Sequence, residues 1–520
     1  MIYHWADGVV KGIISEKGDK EKYVCAAGIT PSGTVHIGNF REIITVDLVC
    51  RALKLAGKEA RFIYSWDNFD VFRKVPKNMP KQEMLKEQLR KPIVDVPDPY
   101  GEEENYARHN EVEVEESIAK VGIKPEFIYQ AQKYRNNDYV KGIKTALDNK
   151  DKIKSILDKY RKEPLAENWI PLTGFCPECH QDRIEFSKYD GDYNVNMKCL
   201  DCDKEFNVDI REQDFLKLPW RVDWPMRWAY EKVDFEPGGK DHSTEGGSYS
   251  TGGEIVKLYD WTAPSYQMYD FIRIKGGSGK ISSSTGDVVT LNDCLEIYEP
   301  EIVRWLFAGT RPNTEFAISF DLDVIKIYED FDKCERIYYE KEDVKEKDYL
   351  KQKRIYELST VDEPADKMPF QPSFRHLTDV LLAHELDVDE AVEYYKDELK
   401  TDADERRLRI RAKCAINWLE RYAPEDFKYE VQKDVPADID ISDDARDALK
   451  DVAELLDEKE WSGEDLHNEF YEIMRKHDVK TKEFFKSAYK VLIDQEKGPM
   501  LANFILTIGQ DRVKELFGEL

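Results

Sequence analysis

The 520-residue chain carries 105 acidic against 78 basic residues, a formal charge of −27. That length allows two or three domains with substantial cores, and the acidity excludes a protein that holds nucleic acid by overall charge; phosphate contact would need a local basic face. No apolar run approaches the ~18 residues of a membrane span and no basic-then-apolar leader opens the chain, so a cytoplasmic protein with no membrane contact is expected.

In chain order, Tyr23-Val24-Cys25-Ala26-Ala27 is short, apolar and bounded by glycine, which predicts a buried strand. Gly28-Ile29-Thr30-Pro31-Ser32-Gly33-Thr34-Val35 then leads into His36. From His36 to Ala56 apolar residues recur at helical spacing until Gly57 stops the helix. Ala60 to Trp66 predicts a second strand, so the unit is βαβ and the sheet parallel. The loop sits at the carboxyl end of the first strand, where open α/β sheets place ligands, and feeds a helix N-terminus suited to phosphate. His36 and Asn39 share the first helical turn and can donate to phosphate oxygens, while Gly38 leaves room for a flat base or ribose. By itself His-x-Gly-Asn also fits an ordinary capped turn.

Residues 81–165 read as a charged, helical insertion. Cys176-Pro177-Glu178-Cys179 and Cys199-Leu200-Asp201-Cys202 follow, two Cys-x2-Cys knuckles with strand-like flanks at Tyr193–Met197 and Glu205–Val208. Their spacing predicts a four-thiolate structural Zn²⁺ ribbon within 166–215, closed to chemistry because protein supplies all four ligands. His180 is adjacent and reads as an exposed ribbon residue. The other cysteines (Cys25, Cys50, Cys294, Cys334, Cys414) lie in apolar or helical contexts and read as buried thiols. Further on, Lys275-Gly276-Gly277-Ser278-Gly279-Lys280-Ile281-Ser282-Ser283-Ser284 cannot pack a core. A glycine-rich loop with one lysine and three serines suits transient contact with a polyphosphate, although alone it also reads as a surface linker. Past residue 315 the chain turns helical, with apolar periodicity near 322–340, 374–384, 402–421, 441–456, 464–476 and 482–495. Thr360 to Pro372 is acidic and proline-containing, and reads as a linker. The basic run Arg406-Arg407-Leu408-Arg409-Ile410-Arg411-Ala412-Lys413 is either a phosphate-binding face or a solvated helix face answering Asp402, Asp404 and Glu405.

His36-Ile37-Gly38-Asn39 and Lys280-Ile281-Ser282-Ser283-Ser284, in that order, resemble the two signatures of class I aminoacyl-tRNA synthetases, and in detail those of the archaeal-type class I lysyl-tRNA synthetases. The likeness extends through Phe40-Arg41-Glu42, Trp220 to Trp228, Phe235 to His242, Gly246-Gly247-Ser248-Tyr249 and Asn417 to Glu425. Two departures stand out: Asn39 replaces the final histidine of the first signature, and Ser283 the second lysine of the other, with Thr285 where the family commonly has lysine.

The resemblance implies a Rossmann-type α/β catalytic domain over 1–315 with the helical and zinc-ribbon insertions, a helical connector over 316–360, and an all-α anticodon-binding domain over 361–520. It implies ATP-dependent ligation of L-lysine to the 3′ end of tRNA(Lys) through lysyl-adenylate, with Mg²⁺ on the nucleotide and no DNA partner; a monomer is favoured. ATP would meet His36, Gly38, Asn39, Asp241, Lys280, Ser282, Ser283 and Ser284. Lysine would meet Gly28, Thr30, Trp220, His242 and Tyr269, with either Glu42 or Asp67 taking its ε-ammonium. Three other readings are a glutamate-specific relative, a small nucleotidylyltransferase, and a non-enzymatic zinc-ribbon RNA-binding protein.

Overall fold

The computed structural model describes residues 2–275, 288–436 and 439–520. It divides into two compact units, one formed by 1–294, 300–318 and 343–364, the other by 295–299, 319–342 and 365–520.

The first unit is built on a five-stranded, wholly parallel sheet. Its strands are β1 (Lys22–Ile29), β2 (Glu59–Trp66), β3 (Glu126–Tyr129) and, after the ribbon, β9 (Phe235–Gly239) and β10 (Ser265–Tyr269). They lie in the order β10-β9-β1-β2-β3. The chain leaves the central β1, crosses through helix Ile37–Leu55 to β2, and later fills the other side with β9 and β10. The order therefore reverses beside β1, and the crevice at the strand carboxyl ends there is the natural ligand site. β1 and β2 run in continuous register from Lys22↔Glu59 to Ile29↔Trp66. Gly28 is needed in that pairing, because a Cβ would sit 2.7 Å from the Ser65 carbonyl oxygen.

Between β3 and β9 the chain forms short strands β4 (Thr173–Gly174) and β8 (Leu216–Lys217), which pair antiparallel around the ribbon. The ribbon is a three-stranded antiparallel sheet of β5 (Ile184–Tyr189), β6 (Asn194–Cys199) and β7 (Glu205–Asp209). Each cysteine knuckle closes alike: the Cys176 amide donates to the Gln181 carbonyl and the Cys199 amide to that of Lys204, both at 2.9 Å. Arg90 ties the ribbon to the helical insertion through Asp182 at 2.7 Å and Asp201 at 3.2 Å. Finally β11 (Ile272–Ile274) and β12 (Phe316–Ile318) pair parallel on either side of the glycine-rich segment.

The second unit is helical. Its C-terminal part, from Asp443–Leu456 to Gln510–Gly518, packs around Leu449, Val452, Phe470, Phe484, Leu492, Ile505 and Phe517. The basic run on helix Asp402–Arg421 is only in part the solvated face expected of it: Arg409 answers Glu405 at 2.8 Å, but other arginines turn inward. Arg411 is fully buried and bridges Glu299 and Asp332, while Arg407 bridges Glu299 and Glu335. Helical periodicity turns these two arginines inward, while Arg406 and Lys413 on the opposite side face solvent. Two helices lie in regions expected to be helical but outside the periodic segments singled out above. Glu346–Ser359 buries only residues near its end, and Leu501–Ile508 is apolar nearly all round; neither shows a clear period.

Candidate active site

The first signature forms a helix start that is locked by its own side chains. His36 is the N-cap of helix Ile37–Leu55: its Nδ1 accepts the Asn39 backbone amide at 3.2 Å, and the Asn39 side-chain Oδ1 accepts the His36 backbone amide at 3.2 Å. Because Nδ1 accepts, the neutral ring carries its proton on Nε2, which makes that nitrogen a donor. The structure also revises the reason for Gly38. A Cβ there would lie 2.8 Å from His36 Nδ1, so glycine makes room for the histidine ring rather than chiefly for a ligand.

The chain just past the second signature reaches this helix start. Lys280, Ser282, Ser283 and Ser284 lie outside the described residues, as does the side chain of Asp241. The flank just beyond them is described: the Val289 carbonyl accepts the amide of Ile37, the residue after His36, at 2.8 Å. On the near side β11 is fixed to β12, and Arg41 holds the same region by donating to the carbonyls of Arg311 at 2.7 Å and Thr314 at 2.9 Å.

Next to the helix start, a cleft of about 350 Å³ opens at the switch point of the sheet. Gly28 and Thr30 supply its floor, Glu42 one wall, Trp220 and Trp224 another, and His242 its rim. Trp220 is 39% exposed and stacks on Trp224 with centroids 5.0 Å apart, so it is a wall residue rather than core packing. Tyr269, at the end of β10, reaches the cleft indirectly by donating to Glu42 at 2.5 Å.

The charges in the cleft sort into two kinds. Asp67 is paired with Arg227 at 2.6 Å, and Arg227 also reaches Asp223 at 3.2 Å. Asp70 accepts from Lys217 at 2.6 Å and from the Thr30 hydroxyl at 2.7 Å. Burial works against the charge on Asp70, but Lys217 and the Thr30 hydroxyl hold its carboxyl below the usual range. Glu42 and Glu236, by contrast, make no ion pair among the described residues. Glu42 accepts the Gly28 amide at 3.0 Å and the Tyr269 hydroxyl; Glu236 accepts the indole N–H of Trp224 at 3.0 Å and of Trp228 at 2.5 Å. Burial pushes both carboxyls up to about 7 against those hydrogen bonds.

The sequence reading missed Ser65, Asp70, Lys217, Arg227 and Glu236. Two of these leave a signal: Glu236 is a charge inside a buried strand, and Arg227 lies four residues after Asp223 on a tryptophan-rich helix.

The four ribbon cysteines do come together. Their Sγ atoms all lie within 4.8 Å of one another, with Cys176–Cys202 and Cys179–Cys199 at 3.6 Å. Tetrahedral ligands about 2.3 Å from a zinc ion would be about 3.8 Å apart, so the donor set fits such an ion. His180 is exposed and outside the cluster.

Residues 3–362 match the model of the family described as tRNA synthetases class I (K), and residues 422–515 that of an anticodon binding domain. The chain is 50% identical over 515 residues to a lysine–tRNA ligase of Borreliella burgdorferi, covering 99% of this chain and 98% of that protein. It is 45% identical over 524 residues to one of Treponema pallidum, covering 99% and 98%, and 43% identical over 522 residues to one of Thermococcus kodakarensis, covering 98% of each.

Proposed function

The chain belongs to the family of class I (K) tRNA synthetases, and on that premise we propose that it ligates L-lysine to the 3′ end of tRNA(Lys) through lysyl-adenylate, releasing AMP and pyrophosphate. It is an ATP-using ligase whose substrates are lysine and tRNA. The observation that carries the amino-acid assignment is the sign of the cleft. Arg227, its lining cation, is already engaged by Asp67 and Asp223, while Glu42 is backed only by neutral donors. Such a cleft suits an ammonium and offers no ready partner to a substrate carboxylate, which disfavours glutamate.

Of the two carboxylates nominated for the ε-ammonium, Glu42 is the better supported, because Asp67 already has a cation. Trp220 and Trp224 supply walls for the methylenes, with Gly28, Thr30 and His242 around the α-substituents. Asp70, beside the Thr30 hydroxyl and kept ionised by Lys217, meets the α-ammonium.

In the first step the lysine carboxylate attacks the α-phosphorus of ATP, and pyrophosphate leaves. His36 Nε2–H, Asn39 and Lys280 stabilise charge developing on the polyphosphate, helped by the helix N-terminus. Ser282, Ser283 and Ser284 supply further donors, Gly38 keeps the His36 ring in place, and Asp241 accepts the ribose hydroxyls. Mg²⁺ accompanies the nucleotide as its counter-ion. In the second step a terminal ribose hydroxyl of tRNA attacks the adenylate carbonyl, forming the ester and releasing AMP. No side-chain nucleophile is required.

The remaining assignments follow the same reading. Cys176, Cys179, Cys199 and Cys202 hold a structural Zn²⁺ that fixes the ribbon and takes no part in the chemistry. Residues 1–315 form the catalytic domain, 316–360 a connector, and the helices of 361–520 bind the anticodon stem. The protein acts in the cytoplasm as a monomer; among the described residues no helix is long and apolar enough to cross a membrane.

His36→Ala tests the reading directly. It should lower lysine charging by at least 100-fold while tRNA affinity, measured by filter binding, stays within about twofold. Undiminished charging would remove His36 from the ATP site.

A further inference from the structure

Four carboxylates line the cleft, and among the described residues only two have cations. Asp67 has Arg227 and Asp70 has Lys217; Glu42 and Glu236 are met only by neutral N–H and O–H donors. The latter pair come from different elements, helix Ile37–Leu55 and β9, yet they line the same cleft, and the charge of Glu42 helps to raise the Glu236 carboxyl. Glu236 is 8% exposed. Accepting two indole N–H groups requires an acceptor, not a charge, so the tryptophans alone do not account for a carboxylate buried there. A carboxylate has about four lone-pair positions, of which the indoles use two, and an ammonium has three donors to distribute.

We propose that Glu236 is a second carboxylate of the lysine side-chain subsite, binding the ε-ammonium together with Glu42. The inference rests on the reading of Glu42 given above. Glu236 is thereby a specificity residue: two anionic oxygen sets around one ammonium penalise a neutral side chain of similar shape. A substrate with an apolar tip would leave both carboxyls buried and unanswered, whereas the lysine ammonium satisfies them together.

The test is aminoacylation of tRNA by Glu236→Gln, with two lysine analogues as competitive inhibitors. Norleucine lacks the ε-ammonium; 6-aminohexanoate retains it and lacks the α-ammonium. The lysine KM should rise about ten- to hundredfold, with kcat changing less. The Ki of 6-aminohexanoate should rise by a similar factor and that of norleucine should not. An equal rise for norleucine would overturn the proposal in favour of a merely positioning role through Trp224. A rise for lysine and norleucine but not for 6-aminohexanoate would place Glu236 at the α-ammonium, also overturning it.

Glu42→Gln, run in parallel, separates the two readings. If it loses the preference for lysine over norleucine and Glu236→Gln does not, only the new inference fails; if neither does, the Glu42 reading fails as well. Trp228→Phe covers the case in which Glu236→Gln does not fold. It removes one indole donor and keeps the carboxylate, so preference for lysine over norleucine should persist, and its loss would contradict the proposal.

Discussion

Glu42 shows how one buried side chain couples recognition to pH. Burial raises its carboxyl to about 7, against an ordinary value of 4.5. Between those values the unfolded chain releases the proton more readily than the folded one, so the contribution of this group to stability is present at low pH and declines as pH rises through about 7. Glu42→Gln has no proton to lose. Its melting temperature relative to the parent should therefore improve from pH 5 to pH 8, by up to about 3 kcal/mol of differential stability. Lysine should reverse the trend, stabilising the parent more at pH 8 than at pH 5.5, where the carboxyl must first ionise to meet the ammonium. Thermal melts at both pH values, with and without lysine, check this; a pH-independent difference would contradict it. Glu236 is raised in the same way, in part by the charge of Glu42, so Glu42→Gln also relaxes that shift and adds to the trend in the same direction.

At the scale of elements, what was legible in the sequence was whatever local pattern controls. The βαβ unit is one case: Tyr23–Ala27 and Ala60–Trp66 are apolar runs, Gly57 is a stop, and β1, helix Ile37–Leu55 and β2 follow within a residue or two of those signals. The cysteine knuckles are another, because two-residue spacing forces both sulfurs onto one turn. The pairing of Asp67 with Arg227 was not legible, since 160 residues separate partners that only the completed sheet brings together. The basic run was legible only in part for a related reason: Glu299, Asp332 and Glu335 face Arg407 and Arg411 from other segments, and composition cannot show inward charges. The ribbon makes a separate prediction. Metal analysis of the purified chain should find about one zinc per molecule, and its four thiols should react with a thiol reagent only after chelation. Absence of zinc, or prompt reaction of those thiols without chelator, would contradict the assignment.

For the whole molecule, a formal charge of −27 has to be reconciled with a polyanionic substrate. Net charge governs long-range attraction, whereas binding depends on local donors at the contact surface. Specificity for the amino acid is better defined, because it resides in a small cleft lined by Glu42, Asp67, Asp70 and Glu236. The most direct measurement is charging of unfractionated tRNA, with ATP and Mg²⁺, by each labelled amino acid in turn. Lysine alone should give acid-precipitable label; label from glutamate, or from no amino acid with folded, zinc-loaded protein and matching tRNA, would contradict the account.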